Sequence, residues 1–312
     1  MPYNFQNHHI LALDSCEGLE HYDNIDVCHI YKERYGVAKQ LYRLQEALHC
    51  KDMSRWYGDW KYRLAEYDTV LISDGIRGRD VVEHINRHNP KARVIIFYLN
   101  SVLEHGRNNP KYYKNLNCEL YTFDKQNAKD YGIKYKHFYF PYVNQLRAGQ
   151  QSCIEPKDIF FVGVDKGRLN LLMDLEEQFQ FYGLSTNMVI VRQKHKLYYG
   201  DKKRRTIADN IPYSEIVAHI FSSKAILDIV QEGQHGMTYR PMEALLSNRK
   251  LITNYQEIKE FNFYNPQNIF VLDSGRSLNE LSEFINSESI PVAKSIQREY
   301  YPEVWLDSFF TS

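Results

Sequence analysis

The chain has 312 residues, a length that suits two ordinary domains. Hydrophobic residues make up 43% and charged residues 25%, the balance of a folded globular protein, and Lys plus Arg (39) equals Asp plus Glu (39), so bulk charge points to no nucleic-acid partner. The apolar runs are too short to span a bilayer, and "MPYNFQNHHI" lacks the basic-then-apolar order of a secretion signal, so a cytoplasmic protein is expected.

In chain order, "HHILALD" predicts a first strand and "DVCHIY" a short second one. "KERYGVAKQLYRLQEALH" places Val37, Leu41, Leu44 and Leu48 at helical spacing. "DTVLIS" is a strand ending at Ser73-Asp74-Gly75. "RDVVEHINRHN" is a helix stopped by Pro90. "ARVIIFYL" and "CELYTF" are strands. "DKQNAKDYG" is a short helix with Asp124 at its cap and Gly132 at its end. "KHFYFP" is a final edge strand. Residues 144–157 are polar and without period, and read as a linker.

The alternation then restarts. "DIFFVGV" is a strand, "RLNLLMDLEEQFQFYG" a helix, "NMVIVR" a strand, "SEIVAHIFSSK" a helix and "AILDIV" a strand. "RPMEALLSN" is a helix, "KLITN" and "NIFVLD" are strands, and "LNELSEFIN" is a helix. The tail is helical in character, with Tyr300, Trp305, Phe309 and Phe310. Strand–helix alternation predicts an α/β chain whose two open, mostly parallel sheets carry helices on both faces. Ligands of such sheets bind outside the carboxyl ends of the strands, which in two domains can face each other across a cleft.

One such end is informative. After "AILDIV" the chain reads "QEGQHGMTYRPMEALLSNRKLITN". Its two glycines allow close backbone approach to a ligand. Thr238 suits a helix cap and Pro241 a first helical turn, which would aim backbone donors and a positive dipole at the cleft. A diphosphate fits there, on Gly236, Met237, Thr238, Tyr239 and Arg240, with Arg240 as a forked donor. Glu243, three residues on, shares a face with Arg240 and could accept hydrogen bonds from a ribose diol. An ordinary surface Arg–Glu pair and glycine turn would read the same way.

This stretch resembles the donor-site helix of bacterial GT-B glycosyltransferases, in particular the spore-maturation-like and lipopolysaccharide-biosynthesis group with its Gly-x-Thr-x-Arg-x-x-Glu-Ala type run. "TFDKQNAKDYGIKYKHFYF" and "IFFVGVDKGRLNLL" are similar to further segments of that group. The resemblance implies two Rossmann-like domains facing across a cleft. Residues 1–148 would be an acceptor domain, 149–292 a nucleotide-sugar donor domain, and 293–312 a C-terminal helix crossing back to the N-domain. It implies sugar transfer to a glycan or lipid-linked acceptor in bacterial surface polysaccharide synthesis, with retention of configuration.

Beyond the strand "FVGV", Gly163, Lys166 and Arg168 fall in a turn where fixed cations could stabilise a leaving diphosphate; an exposed solvated turn is the plain alternative. The sequence contains no Asp-x-Asp, so no metal is expected. Tyr198, Tyr199 and Tyr213 are candidates to stack on a base. An inverting enzyme would need an acceptor base. Asp74 and His105 lead that set, ahead of Asp14, Asn100 and Glu104. Residues 192–205, "RQKHKLYYGDKKRR", carry seven Lys or Arg against one Asp. Three roles fit: a lid over the diphosphate, a peripheral contact with anionic lipid at the inner membrane face, or a solvated loop.

His8 and His9 are adjacent on a strand and cannot chelate together. Cys16, Cys28, Cys50, Cys118 and Cys153 form no Cys-x-x-Cys pair and read as reduced thiols. Twenty-five tyrosines are many, and buried phenols need partners, so half-buried or ligand-facing places are expected for them. The rival functions are a non-catalytic nucleotide- or glycan-binding module of the same fold, and a nucleotide-sugar epimerase.

Overall fold

The computed structural model describes all residues except 1, 15, 34, 49, 51, 74–77, 103, 105–107, 150–153, 232–235, 273, 274, 276 and 312, and except the side chains of residues 46 and 78. The chain divides into two compact units, one made of Met1–Pro141 with Tyr301–Ser312, the other of Tyr142–Tyr300.

The first unit is built on a six-stranded sheet. Its strands are β1 (Ile10–Leu13), β2 (Ile25–Cys28), β3 (Thr69–Ser73), β4 (Arg93–Tyr98), β5 (Glu119–Thr122) and β6 (Lys134–Tyr135), in spatial order 2-1-3-4-5-6. Every pairing is parallel. Each residue of β1 and β3 is buried, as expected where helices cover both faces and strands read as continuous apolar runs. Helix α1 (Gly36–Ala47) forms where the spacing predicts one, but its apolar stripe faces outward. Val37 is 72% exposed and Leu48, just beyond the helix, 67%, while Tyr42 is the residue that packs inward, edge-on to Trp56. Helix α2 (Gly78–His88) buries Val81, Val82 and Ile85.

Helix α3 (Lys125–Tyr131) is capped as its sequence indicates. Asp124 accepts from the Asn127 N–H at 2.9 Å, and Gly132 takes φ 64°, the left-handed stop that a residue without Cβ adopts at least cost. The predicted edge strand "KHFYFP", residues 136–141, does not form; the edge strand is the two residues just before it, β6. Phe138, Tyr139 and Phe140 are buried instead as non-strand chain. What they pack under comes from the other end of the sequence. Helix α11 (Pro302–Asp307) sets Trp305 edge-on to Phe97 and against Tyr139, with its indole N–H donating to the His137 carbonyl at 2.6 Å. Asp307 accepts from the Phe5 N–H at 3.1 Å. The last helix therefore returns to the first sheet.

The second unit has a five-stranded parallel sheet: β7 (Lys157–Val164), β8 (Thr186–Val191), β9 (Ser223–Asp228), β10 (Lys250–Thr253) and β11 (Ile269–Val271), in spatial order 11-10-9-7-8. Helix α4 (Val143–Ala148) opens it and takes up the start of the span 144–157 that reads as a linker. Two inward residues, Val143 and Leu146, are too few to show a period. At its C-cap, a Cβ on Gly149 would lie 2.0 Å from Val217 Cγ1, so only glycine permits the approach to α7 (Tyr213–Phe221). The chain runs from β7 through α5 (Leu169–Phe181) to β8 on one side, then through α6 (Gly200–Arg204) and α7 to β9 on the other side of β7. The order reverses between β7 and β9, and in open α/β sheets the crevice at such a switch point is where ligands bind. Helices α8 (Tyr239–Ser247), α9 (Leu281–Asn286) and α10 (Lys294–Arg298) complete the unit. Among the described residues no helix is long and apolar enough to cross a membrane.

Candidate functional site

The residues just beyond β7 and β9 meet at that switch point. After β7 the chain turns tightly: Lys166 at φ 43° and Gly167 at φ 88° bring the Arg168 N–H back to the Asp165 carbonyl at 2.8 Å. Asp165 is fully buried and caps α5 by accepting from the Leu169 N–H at 2.8 Å. Its other oxygen accepts from Lys196 at 2.5 Å and from the Tyr198 hydroxyl at 2.6 Å. These contacts hold the Asp165 carboxyl below the usual range against the cost of its burial.

Arg168 does not present an open cation. Its guanidinium donates to the carbonyls of Ile229, Val164 and Asp165, which tie the carboxyl ends of β7 and β9 together. Burial pulls its pKa below the usual guanidinium range. A Cβ on Gly163 would lie 3.2 Å from the Phe161 ring and 3.4 Å from Arg168 Nη2, so the tighter contact that glycine avoids is with Phe161. Lys166, by contrast, is exposed.

On the β9 side a second buried acid organises the loop. Asp228 accepts from Thr238 Oγ1 at 2.9 Å and from Thr253 Oγ1 at 3.2 Å. Burial raises its pKa, with Arg240 and Arg168 acting in the opposite direction. Thr238 has extended backbone and caps α8, accepting from the Arg240 N–H at 3.1 Å while its hydroxyl donates to Asp228. The helix thus begins one residue before Arg240, and Pro241 is its third residue. With the Arg240 N–H held by Thr238 and no N–H on Pro241, this terminus offers an anion fewer backbone donors than its sequence implies. Gly236 and Met237 are buried beside it.

Glu243 has no solvent exposure, and one of its carboxylate oxygens receives Arg240 Nη1. Oε1 has no partner within hydrogen-bonding distance among the described residues. Burial pushes this carboxyl up to about 7 from its ordinary 4.5, against the pull of Arg240 and of the Tyr213 phenol beside it. Tyr213 opens α7 and stacks on Tyr142 with ring centroids 4.4 Å apart; burial, then the nearby Glu243 charge, raise its pKa strongly. Tyr239 lies edge-on to Tyr142 at 6.3 Å. The structure therefore gathers Thr238, Tyr239, Arg240, Glu243 and Tyr213 into one place. A buried carboxylate beside a phenol, an arginine and an aromatic pair can together take a polyhydroxylated, anionic, planar ligand.

Two acids that organise this region, Asp165 and Asp228, are not singled out by sequence reasoning. The signal was an Asp within or directly after an apolar strand. Asp74 and His105 lie outside the described residues, as do 232–235. Asp14, at φ 53°, is occupied in accepting from the Ile30 N–H at 3.0 Å and facing His29 at 3.3 Å. Glu104 is exposed, with its backbone carbonyl bonded by Asn109. Of the other tyrosines, Tyr198 is buried on Asp165 and Tyr199 is exposed. Among the described residues no group of three or more His, Cys, Asp or Glu is placed to hold a metal.

No protein-family profile matches the sequence, and no curated protein does. Solved structures do match the fold. The lipopolysaccharide outer core galactosyltransferase WaaB, in its apo form, superposes with a TM-score of 0.53 at 12% identity, covering 96% of this chain and 98% of that one. A glycosyltransferase involved in avilamycin A biosynthesis gives 0.50 at 11% identity over 97% and 96%. The catalytic domain of starch synthase IV from Arabidopsis thaliana, bound to ADP and acarbose, gives 0.50 at 7% identity over 78% and 71%. The fold is GT-B. The two parallel sheets and the returning helix are its elements, and at these identities the likeness establishes architecture and not activity.

Proposed function

We propose that this chain is a glycosyltransferase that moves a sugar from a nucleotide-diphosphate donor to a hydroxyl of a glycan or lipid-linked acceptor. The observation that carries the reading is Glu243: a buried carboxylate at a switch point, one oxygen held by an arginine one turn away and the other, beside the Tyr213 phenol, without a close hydrogen bond among the described residues. A buried acceptor left without a donor costs about 1–3 kcal/mol, more when charged, and a ribose diol supplies the missing donors. In this reading the donor's diphosphate draws Arg240 away from Glu243. The freed carboxylate then accepts both ribose hydroxyls. Tyr213 and Tyr142 flank the base, and Lys166, exposed on its tight turn, moves to the leaving phosphate as charge develops. Arg168 acts as a strand tie that positions this turn. The first unit is assigned the acceptor.

The retaining course, the hexosyl type and a role in bacterial surface polysaccharide rest on the sequence resemblance. Metal independence rests on the lack of an Asp-x-Asp pair. The test is slow hydrolysis of a panel of nucleotide sugars by the purified protein, compared with Glu243→Gln. Turnover of one donor, lost or cut tenfold or more in a variant that melts no lower than wild type, supports the reading. Binding without turnover would favour a non-catalytic module, and epimerised sugar without transfer an epimerase.

A further inference from the structure

The basic segment 192–205 is not absorbed by the donor site. Its geometry is that of a braced platform. Tyr198 is buried, its hydroxyl bonded to Asp165 at 2.6 Å and accepting from the Gln193 N–H at 3.0 Å. Lys196 is tied to the same acid. Arg192 donates to the Lys203 and Thr206 carbonyls, each at 2.9 Å, and Thr206 Oγ1 to the Lys202 carbonyl at 2.7 Å. The residues on either side of the buried Tyr198 are turned the other way: Leu197 is 77% exposed and Tyr199 71%. Lys194, Lys202 and Lys203 are exposed around them. The one acid of the segment, Asp201, is shared between Arg204 and Arg205.

A rigidly held loop that displays a leucine and a tyrosine among lysines keeps apolar area in water at a cost of about 25 cal/mol per Å². We propose that this face docks on an anionic lipid surface. Leu197 and Tyr199 enter the headgroup region and Lys194, Lys202 and Lys203 meet lipid phosphates. Three features favour this occupant. A cationic fringe around apolar tips is the pattern of interfacial binding. Tyrosine is suited to the membrane–water boundary, with an apolar ring and a polar hydroxyl. A second copy of the same face would bring like charges together, and a nucleic acid would use the lysines but leave Leu197 wet. The proposal does not depend on the donor-site reading.

The experiment is co-sedimentation of the full chain with phosphatidylcholine vesicles, with and without phosphatidylglycerol. Wild type is expected to bind the anionic vesicles selectively and to release with salt. Each lysine near the surface contributes about fivefold, so Lys194→Gln, Lys202→Gln and Lys203→Gln together should weaken binding about a hundredfold. Leu197→Ser with Tyr199→Ser should cost roughly tenfold or more and leave the salt dependence in place. All five side chains are exposed, and melting temperatures matching wild type show that the variants fold. Equal sedimentation with neutral and anionic vesicles, or a triple variant that binds like wild type, overturns the proposal. So does an oligonucleotide bound as tightly as the anionic vesicles with an affinity indifferent to the Leu197 and Tyr199 changes.

Discussion

Lowering the pH from 8 to 6 should weaken binding of the cognate nucleotide sugar about tenfold, and Glu243→Gln should abolish that dependence. Burial pushes the Glu243 carboxyl up to about 7. The ionised form accepts one hydroxyl of a diol on each oxygen, whereas protonation turns one of those oxygens into a donor. The ionised fraction falls from about nine-tenths at pH 8 to about one-tenth at pH 6, and affinity follows it. A nucleotide sugar is the right probe, because a diphosphate esterified at both ends keeps its charge over this range. Isothermal titration calorimetry of both proteins across the range supplies the comparison. Glutamine, with one acceptor and no charge, should bind about ten- to a hundredfold more weakly than wild type at pH 8. The same carboxyl leaves a mark on the free protein. Its folded pKa is raised, so its favourable contribution is complete below 4.5 and is lost as pH rises through about 7, roughly 3 kcal/mol in all. Wild type should lose stability over that window relative to Glu243→Gln. A flat binding profile for wild type, or a glutamine variant that keeps both affinity and pH dependence, would refute the assignment.

Three further outcomes are expected. Trp305→Ala empties a site with 1% exposure and removes the bond to the His137 carbonyl; it should cost the first unit about 3–5 kcal/mol in urea unfolding. Gly149→Ala places a methyl 2.0 Å from Val217 Cγ1 and should destabilise the second unit by about 1–3 kcal/mol, with Val217→Ala restoring part of the loss. A chelator should leave donor hydrolysis unchanged, and recovery of rate only on adding a divalent ion would contradict the metal-independent reading.

Much of the architecture is legible in the sequence because β7 and β9 are centred on short apolar runs, "IFFV" and "AIL", with turns after them. Faces were harder. The stripe Val37, Leu41, Leu44 and Leu48 identifies a helix but not which side is buried, since Tyr42 found aromatic partners, Trp56 and Tyr31, and turned the stripe out. "KHFYFP" has strand-like composition, yet Trp305, more than 160 residues away in sequence, claims the contacts around it. At the site, Thr238, Arg240 and Glu243 are readable because capping and i,i+3 spacing are local. Asp165 and Asp228 are not. Their partners, Lys196 with Tyr198 and Thr253, are distant in sequence and reach them only through the parallel crossover. For the same reason Arg168 reads as a free cation in sequence, while the fold commits its donors to the carbonyls at the ends of two neighbouring strands.

The most direct measurement is the melting temperature of the purified chain against a panel of nucleoside diphosphates. At a hundredfold excess over its dissociation constant, the cognate nucleotide should add about 2.7 kcal/mol and raise the melting temperature by several degrees, and Arg240→Ala should remove most of that gain. A panel in which no nucleotide shifts the transition, or a shift that Arg240→Ala and Glu243→Gln both leave intact, would contradict the account.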